Sequence, residues 1–187
     1  SEGLARAACA GEVDGEVVDL RTVLDKDCEL NILTARDEKG LAVLRHTASH
    51  VMAEAVQTLF PEAKVAIGPS IDTGFYYDFE CQSFSRDDLD AIEKEMKKII
   101  KKGAKIERFT KSREDAIAFF KEKNEPYKVE LIEDLPEGEE ISFYSQGDWT
   151  DLCAGPHLMS VKPVKAFKLL SSSSAYWRGS EKNAMLT

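Results

Sequence analysis

The 187 residues are 43% hydrophobic, enough for a core in one or two domains, and the net charge of −9 argues against a surface given over wholly to nucleic acid. No run of about 18 apolar residues occurs, which excludes a membrane-spanning helix, and the opening SEGLARAACAGEVDGE has no basic start followed by an apolar stretch, so no secretory signal is expected. Cys9, Cys28, Cys81 and Cys153 fall at wide, irregular spacings unlike a disulfide framework, which predicts a reducing, cytoplasmic setting.

The first forty residues carry ten acids against five bases and read as small β structure. Residues 12–18 predict a hairpin turning on Asp14-Gly15, and residues 28–34 alternate polar and apolar with the period of a half-buried strand. Two or three short strands do not make a sheet stable on its own, so this segment reads as part of a domain, with the polar run at 36–40 as its boundary. Residues 41–60 then predict a long helix stopped by Pro61. Leu41, Leu44, Ala48, Val51, Met52, Ala55 and Leu59 define one apolar stripe, while His46 and His50 lie roughly 140–180° away from it at about 100° per residue. The two imidazoles therefore project together, one turn apart, toward solvent or a second polar environment.

Beyond Pro61, residues 64–67 and 74–79 read as strands around a Gly-Pro turn. Ser85 with Asp88 forms a capping box opening a helix whose apolar face is Leu89, Ile92, Met96 and Ile99 and whose end is Gly103. Lys94, Lys97, Lys98, Lys101, Lys102 and Lys105 cluster on or after it, as a solvated helix face or a local phosphate patch. A strand at 105–109, a short helix opened by Ser112 and strand candidates at 127–131, 141–144 and 164–170 follow. Strands and helices do not alternate as βαβ units, which predicts an α+β fold with a mainly antiparallel sheet around the long central helix.

All three histidines of the chain belong to one pattern, His46-x-x-x-His50 and, far downstream, Cys153-x-x-x-His157. Pro156 prevents a regular helix there and predicts a sharp turn that aims Cys153 and His157 inward. A helix giving two imidazoles and a turn giving a thiol and an imidazole can close a tetrahedral zinc site or a polar pocket that positions water. The zinc-protease pattern His-Glu-x-x-His is excluded, because Thr47, Ala48 and Ser49 supply no glutamate base.

These segments, Leu44-Arg45-His46-Thr47-Ala48-Ser49-His50, Ala66-Ile67-Gly68-Pro69, Gly74-Phe75-Tyr76-Tyr77-Asp78, Asp151-Leu152-Cys153-Ala154-Gly155-Pro156-His157 and Ala175-Tyr176-Trp177-Arg178-Gly179, resemble the bacterial threonyl-tRNA synthetase family. The resemblance is to its amino-terminal editing domain, shared in outline with alanyl-tRNA synthetases and free-standing alanyl-tRNA deacylases, and covers residues 37–187. Residues 1–36 look like the latter part of the small ubiquitin-like TGS domain, a partial β-grasp without its opening strands. Thr187 falls where the family's class II aminoacylation domain would begin, so no ligase activity is expected of this stretch.

The resemblance implies proofreading: hydrolysis of the seryl ester mischarged onto tRNA(Thr), because serine and threonine differ by one methyl that a binding pocket discriminates by only about 1–3 kcal/mol. It places His46, His50, Cys153 and His157 on the pocket wall and adds Lys128, Asp151 and Tyr77. His46 and Lys128 are expected to position and activate water and to stabilise the oxyanion, with Asp151 and Tyr77 holding the seryl group. A lysine serving as base needs burial or a positive neighbour; otherwise it acts only as a cation. No cofactor is required, yet the alanyl relatives imply zinc on His46, His50, Cys153 and His157, and the residues leave that open. Trp177 and Arg178 are candidates for stacking on and phosphate contact with the tRNA end, or Trp177 is a core anchor. The implied partners are the acceptor end of tRNA(Thr) and the catalytic and anticodon-binding domains of a homodimeric parent; no membrane is involved. The rival readings are a non-catalytic, zinc-stapled tRNA-binding module and an alanyl-tRNA deacylase-like protein.

Overall fold

The computed structural model describes residues 1–187. A short helix α1 (Glu2–Ala7), capped by the Ser1 side chain, leads directly into strand β1 (Ala8–Val13). The sequence reading expected only β structure here; six residues with one cap and an i,i+4 pair between Glu2 and Arg6 carry no periodicity to read. β1 pairs antiparallel with both β2 (Glu16–Val18) and β3 (Leu30–Thr34), in the order β2-β1-β3. Asp14 and Gly15 make the hairpin turn as expected, at φ 49° and 88°.

The long helix α2 (Glu38–Leu59) ends just before Pro61, as predicted. Its apolar residues Val43, Ala48, Val51, Ala55 and Val56 join Cys9, Ala10 and Leu33 of the first sheet and Leu89, Ile92, Met96 and Ile99 of α3 (Arg86–Lys102) in one core. Each Val, Leu, Ile or Met side chain among these contributes about 1.5–3 kcal/mol when fully buried. α3 keeps the predicted capping box between Ser85 and Asp88 and is closed by Gly103 in the left-handed region. Ser85→Ala is expected to cost about 1 kcal/mol, read as a lower urea midpoint at unchanged slope. Lys94, Lys97, Lys98, Lys101 and Lys102 lie exposed along the other side of α3.

Between these helices run short ladders. β4 (Lys64–Val65) pairs with β7 (Phe79–Glu80), and β5 (Ser70–Ile71) with β6 (Gly74–Phe75), all antiparallel. The Ala66 N–H donates to the Asp78 carbonyl at 2.9 Å and the Asp78 N–H to the Ile67 carbonyl at 2.8 Å, which carries the pairing past Tyr77.

A second sheet, in the order β10-β9-β8, consists of β8 (Ile106–Thr110), β9 (Ser142–Gln146) and β10 (Trp149–Leu152), again antiparallel. Its two faces have different tasks. Phe143 points one way, against Phe109 and against Ala116, Phe120 and Ile132 from α4 (Arg113–Glu122) and α5 (Pro126–Asp134). Tyr144, Gln146, Trp149 and Asp151 point the other way, toward α2. The chain ends in β11 (Ala175–Tyr176), a single 3₁₀ turn and β12 (Met185–Leu186). The architecture is α+β with small antiparallel sheets, as expected.

Two strand expectations fail. Residues 127–131 lie inside α5: Pro126 occupies its first turn, where a missing N–H costs nothing, and the buried residues Tyr127, Lys128 and Ile132 follow helical spacing. Tyr127, Val129 and Leu131 only mimicked a period of two. Residues 164–170 form no strand, because their backbone bonds to side chains of α3. The Leu169 N–H donates to Glu93 Oε1 at 2.8 Å and its carbonyl accepts from Arg86 at 3.0 Å.

Candidate active site

α2 carries a second, polar stripe at His46, His50, Glu54 and Gln57, and this stripe faces the second sheet. Gln146 donates to Glu54 at 2.7 Å, the Trp149 indole N–H donates to Gln57 at 2.8 Å, and the Trp149 ring meets His50 edge-on at 5.3 Å. The polar environment expected opposite the apolar stripe is thus the β9–β10 face. It is buried rather than wet: His50, Asp151, Lys128 and His157 are 4%, 1%, 2% and 1% exposed, and His46 is half-buried.

The turn after β10 brings Cys153 and His157 onto the two helix imidazoles. Cys153 Sγ lies 3.5 Å from His46 Nε2 and 3.2 Å from His157 Nε2. The His157 ring centroid is 4.1 Å from those of both His46 and His50. The outer nitrogens are held from behind. His46 Nδ1 faces the Pro156 carbonyl at 3.3 Å, so it carries the proton and leaves Nε2 as acceptor. His157 Nδ1 pairs with Thr47 Oγ1 at 3.0 Å, a hydroxyl that also accepts the Leu158 N–H at 3.1 Å.

Asp151, at the end of β10, joins this quartet to Lys128 of α5. Its Oδ2 accepts from the Tyr77 hydroxyl at 2.6 Å and lies 3.4 Å from His50 Nε2. Its Oδ1 faces the Lys128 ammonium alone, at 2.8 Å and off the hydrogen-bond axis. Lys128 is therefore half of a buried ion pair. Its Nζ also stands 5.4 Å from the centre of the Tyr77 ring. That ring is set by close approach to Gly68, where a Cβ would fall 2.0 Å from Tyr77 Cδ2. All seven residues singled out from the sequence are thus brought together.

The electrostatics follow from burial and neighbours. Burial pushes the Asp151 carboxyl up, but Lys128, His50 and the Tyr77 hydrogen bond outweigh it and hold the group below its usual range, hence ionised. Burial lowers His50 to about 3, against the pull of Asp151, and lowers His157 and His46 as well. All three imidazoles are neutral at pH 7. Burial pushes the Cys153 thiol to about 12, which the Gly155 N–H only partly offsets, so without a metal it is a thiol and no thiolate nucleophile.

The quartet could bind zinc. Tetrahedral bonds of about 2.0–2.3 Å place donors about 3.3–3.7 Å apart; the two Cys–His separations are 3.5 and 3.2 Å, and all four donor atoms lie within 4.8 Å of one another. The Pro156 carbonyl and the Thr47 hydroxyl are the outer partners that orient metal-binding imidazoles. Thr47 was passed over in the sequence because it is no base; only its place between the two histidines pointed to it.

Trp177 is not free to stack on a nucleic acid, whereas Arg178 is exposed. Trp177 is buried edge-on against Tyr127, with its N–H on Glu130 at 3.1 Å, and Arg178 is paired with Glu130 and Asp134. The core-anchor alternative describes Trp177.

Comparison with known proteins adds a family to this geometry. Residues 141–187, from β9 to the end of β12, match the family described as the threonyl and alanyl tRNA synthetase second additional domain. All 187 residues align with threonine–tRNA ligases: 64% identical in Acetivibrio thermocellus, 62% in Clostridium botulinum strain Kyoto and 58% in Caldanaerobacter subterraneus subsp. tengcongensis. The chain spans 29% of the length of these relatives.

Proposed function

With a sequence consistent with a threonyl-tRNA synthetase fragment as the premise, we propose that the side-chain cluster between α2, α5 and the 153–157 turn hydrolyses the seryl ester of mischarged tRNA(Thr). One observation carries this reading: a buried Lys128–Asp151 pair sits beside neutral imidazoles, of which His46 reaches the surface. A structural staple has no use for such a pair, whereas an aminoacyl ester meets each group with a need. The α-ammonium of serine takes the place of the Lys128 ammonium on Asp151 Oδ1 while Tyr77 stays on Oδ2, and this frees Lys128 to turn to the ester.

The attacking water gives its proton to His46 Nε2, which otherwise meets only the weak S–H donor of Cys153. The water oxygen bonds to the ester carbon, and the Lys128 ammonium faces the oxyanion that develops. The nearest charge to Lys128 is the Asp151 carboxylate rather than a cation, which suits the role of cation and not of base. As the tetrahedral centre collapses, the bond to the ribose oxygen breaks and that oxygen takes the proton back from His46, releasing serine and deacylated tRNA. Held by His50, Cys153 and His157 with the fourth position open, zinc would supply a polarised water at neutral pH; with His46 as a fourth ligand the site would be closed and structural.

The division into a partial TGS segment at 1–36 and an editing unit at 37–187, a cytoplasmic site of action and a dimeric parent belong to the same proposal. Its test is ester decay of seryl-tRNA(Thr) and threonyl-tRNA(Thr) with and without the chain. Faster loss of serine with threonine held at the buffer rate is the expected result; seryl decay equal to buffer removes the reading. Metal content of the purified protein, with decay repeated after chelation, separates the water-based from the zinc-based form.

A further inference from the structure

A second group of charged side chains, none of them in the reaction just described, grips the 153–157 turn from behind. Arg21, in the loop between β2 and β3, is 17% exposed and spends its whole guanidinium fork on protein. Its Nη2 donates to the Ile106 carbonyl at 2.5 Å and to that of Leu158 at 3.0 Å. Its Nη1 donates to the His157 carbonyl at 3.3 Å and to both Asp19 oxygens at 2.8 and 3.0 Å.

Asp19, 10% exposed, continues the grip: its Oδ2 accepts the His157 backbone N–H at 3.2 Å and the Tyr144 hydroxyl at 2.7 Å. Tyr144 in turn meets the His157 ring edge-on at 4.6 Å. It also lies against Gly155, where a Cβ would fall 2.2 Å from its hydroxyl and φ is +76°. Both backbone polar groups of His157 are thus held by the amino-terminal segment, more than 130 residues away in sequence.

We infer that Asp19 and Arg21 are positioning residues for the reaction, fixing the backbone at His157 so that its imidazole and Cys153 stay in register with α2. The physical reason is the geometry of the turn. Residues 153–158 belong to no strand or helix; the β9–β10 ladder ends with the Cys153 N–H on the Ser142 carbonyl at 3.1 Å, and beyond it an arginine fork ties the His157 and Leu158 carbonyls to that of Ile106 in β8. Misplacement of a pocket wall by about 1 Å is enough to cost about 100-fold in rate. The inference rests on the hydrolytic reading for its catalytic consequence, but not for its structural one. Arg108 is the internal control: it lines the same 390 Å³ cavity beside Arg21 and Tyr144, yet its guanidinium pairs with Glu140 and makes no hydrogen bond to the turn.

The experiment uses the whole chain with Arg21→Ala, Arg21→Lys, Asp19→Asn, Tyr144→Phe and Arg108→Ala. It reads kcat and KM on seryl-tRNA(Thr) and the ¹⁵N signals of the His157 ring. Expected are a kcat lowered about 10–100-fold in Arg21→Ala, with KM within about threefold of wild type, displaced His157 signals, and partial recovery in Arg21→Lys, which keeps the charge but not the fork. Arg108→Ala leaves rate and signals unchanged. If Arg21→Ala does not fold, Tyr144→Phe, which removes one hydrogen bond, and Asp19→Asn, which keeps the shape but removes the charge and part of the bonds, carry the same expectation. Unchanged His157 signals in the folded variants overturn the inference, as does an equal loss in Arg108→Ala, which would reduce Arg21 to a general positive charge. A wild-type chain without seryl-ester activity removes the hydrolytic reading alone; the His157 signals then decide the grip by themselves.

Discussion

Asp151→Ala is expected to destabilise the metal-free chain by about 3–5 kcal/mol, the usual result of leaving a buried charge without its partner. The Lys128 ammonium is 2% exposed and its one close anion is Asp151; the Tyr77 hydroxyl and the His50 ring lose their acceptor in the same step. Asp151→Asn is expected to fall close to the same value, since shape is kept but the charge is not. Lys128→Met combined with Asp151→Leu should recover part of the loss, because removing both charges leaves an apolar contact while the Tyr77 hydroxyl and the His50 ring still lack their acceptor. The measurement is the urea midpoint at constant slope, and a loss below about 1 kcal/mol, the range of exposed pairs, would mean that water reaches the pair.

The same groups set the acid limb of stability. His50 and Asp151 both have folded pKa values below their unfolded ones, so the unfolded chain takes up the proton first as pH falls. The stabilisation from His50 is complete above about pH 6.5 and is lost as pH drops toward its folded value of about 3. Each pH unit in that window costs about 1.4 kcal/mol for this residue. That of Asp151 is complete above about pH 4 and goes last. Urea midpoints should therefore decline from just below pH 6.5, and His50→Gln should flatten the first part of the decline.

What the sequence disclosed depends on whether the signal was local. α2, α3 and α4 were readable because each has its own punctuation: Pro61 after the first, and the Ser85 and Ser112 caps that open the others. The Asp14-Gly15 turn was readable for the same reason. α5 was not, because Tyr127, Val129 and Leu131 alternate in apolarity and only Pro126 marked the helix start. The stretch at 164–170 has strand composition, but whether it pairs is settled by Glu93 and Arg86, some eighty residues upstream.

The site divides along the same line. His46, His50, Cys153 and His157 announced themselves by residue type and spacing. That Lys128 belongs beside Asp151 came from resemblance, since nothing near Lys128 distinguishes it from a surface lysine. Thr47, Asp19 and Arg21 act through long-range bonds to one turn, and no pattern within their own segments encodes a partner 110 or more positions away.

His46→Gln is expected to lower kcat for the seryl ester by about 10²–10⁴-fold, the range for loss of a positioned general base, with KM within about threefold because the residue meets water rather than the seryl group. Of the three imidazoles it alone is half-buried, so its loss should leave the urea midpoint close to wild type, in contrast to Asp151→Ala. The pH–rate profile supplies a second reading. Burial, reinforced by Lys128, holds His46 below its ordinary value, though Pro156 and Asp151 pull the other way. A base works deprotonated, so the rate should be flat at neutral pH and fall on an acid limb whose midpoint lies below about 6.5. In His46→Gln that limb should vanish along with the rate. A variant that keeps both would transfer proton acceptance to another group, while one that loses its fold would make His46 a structural residue and take water activation out of its hands.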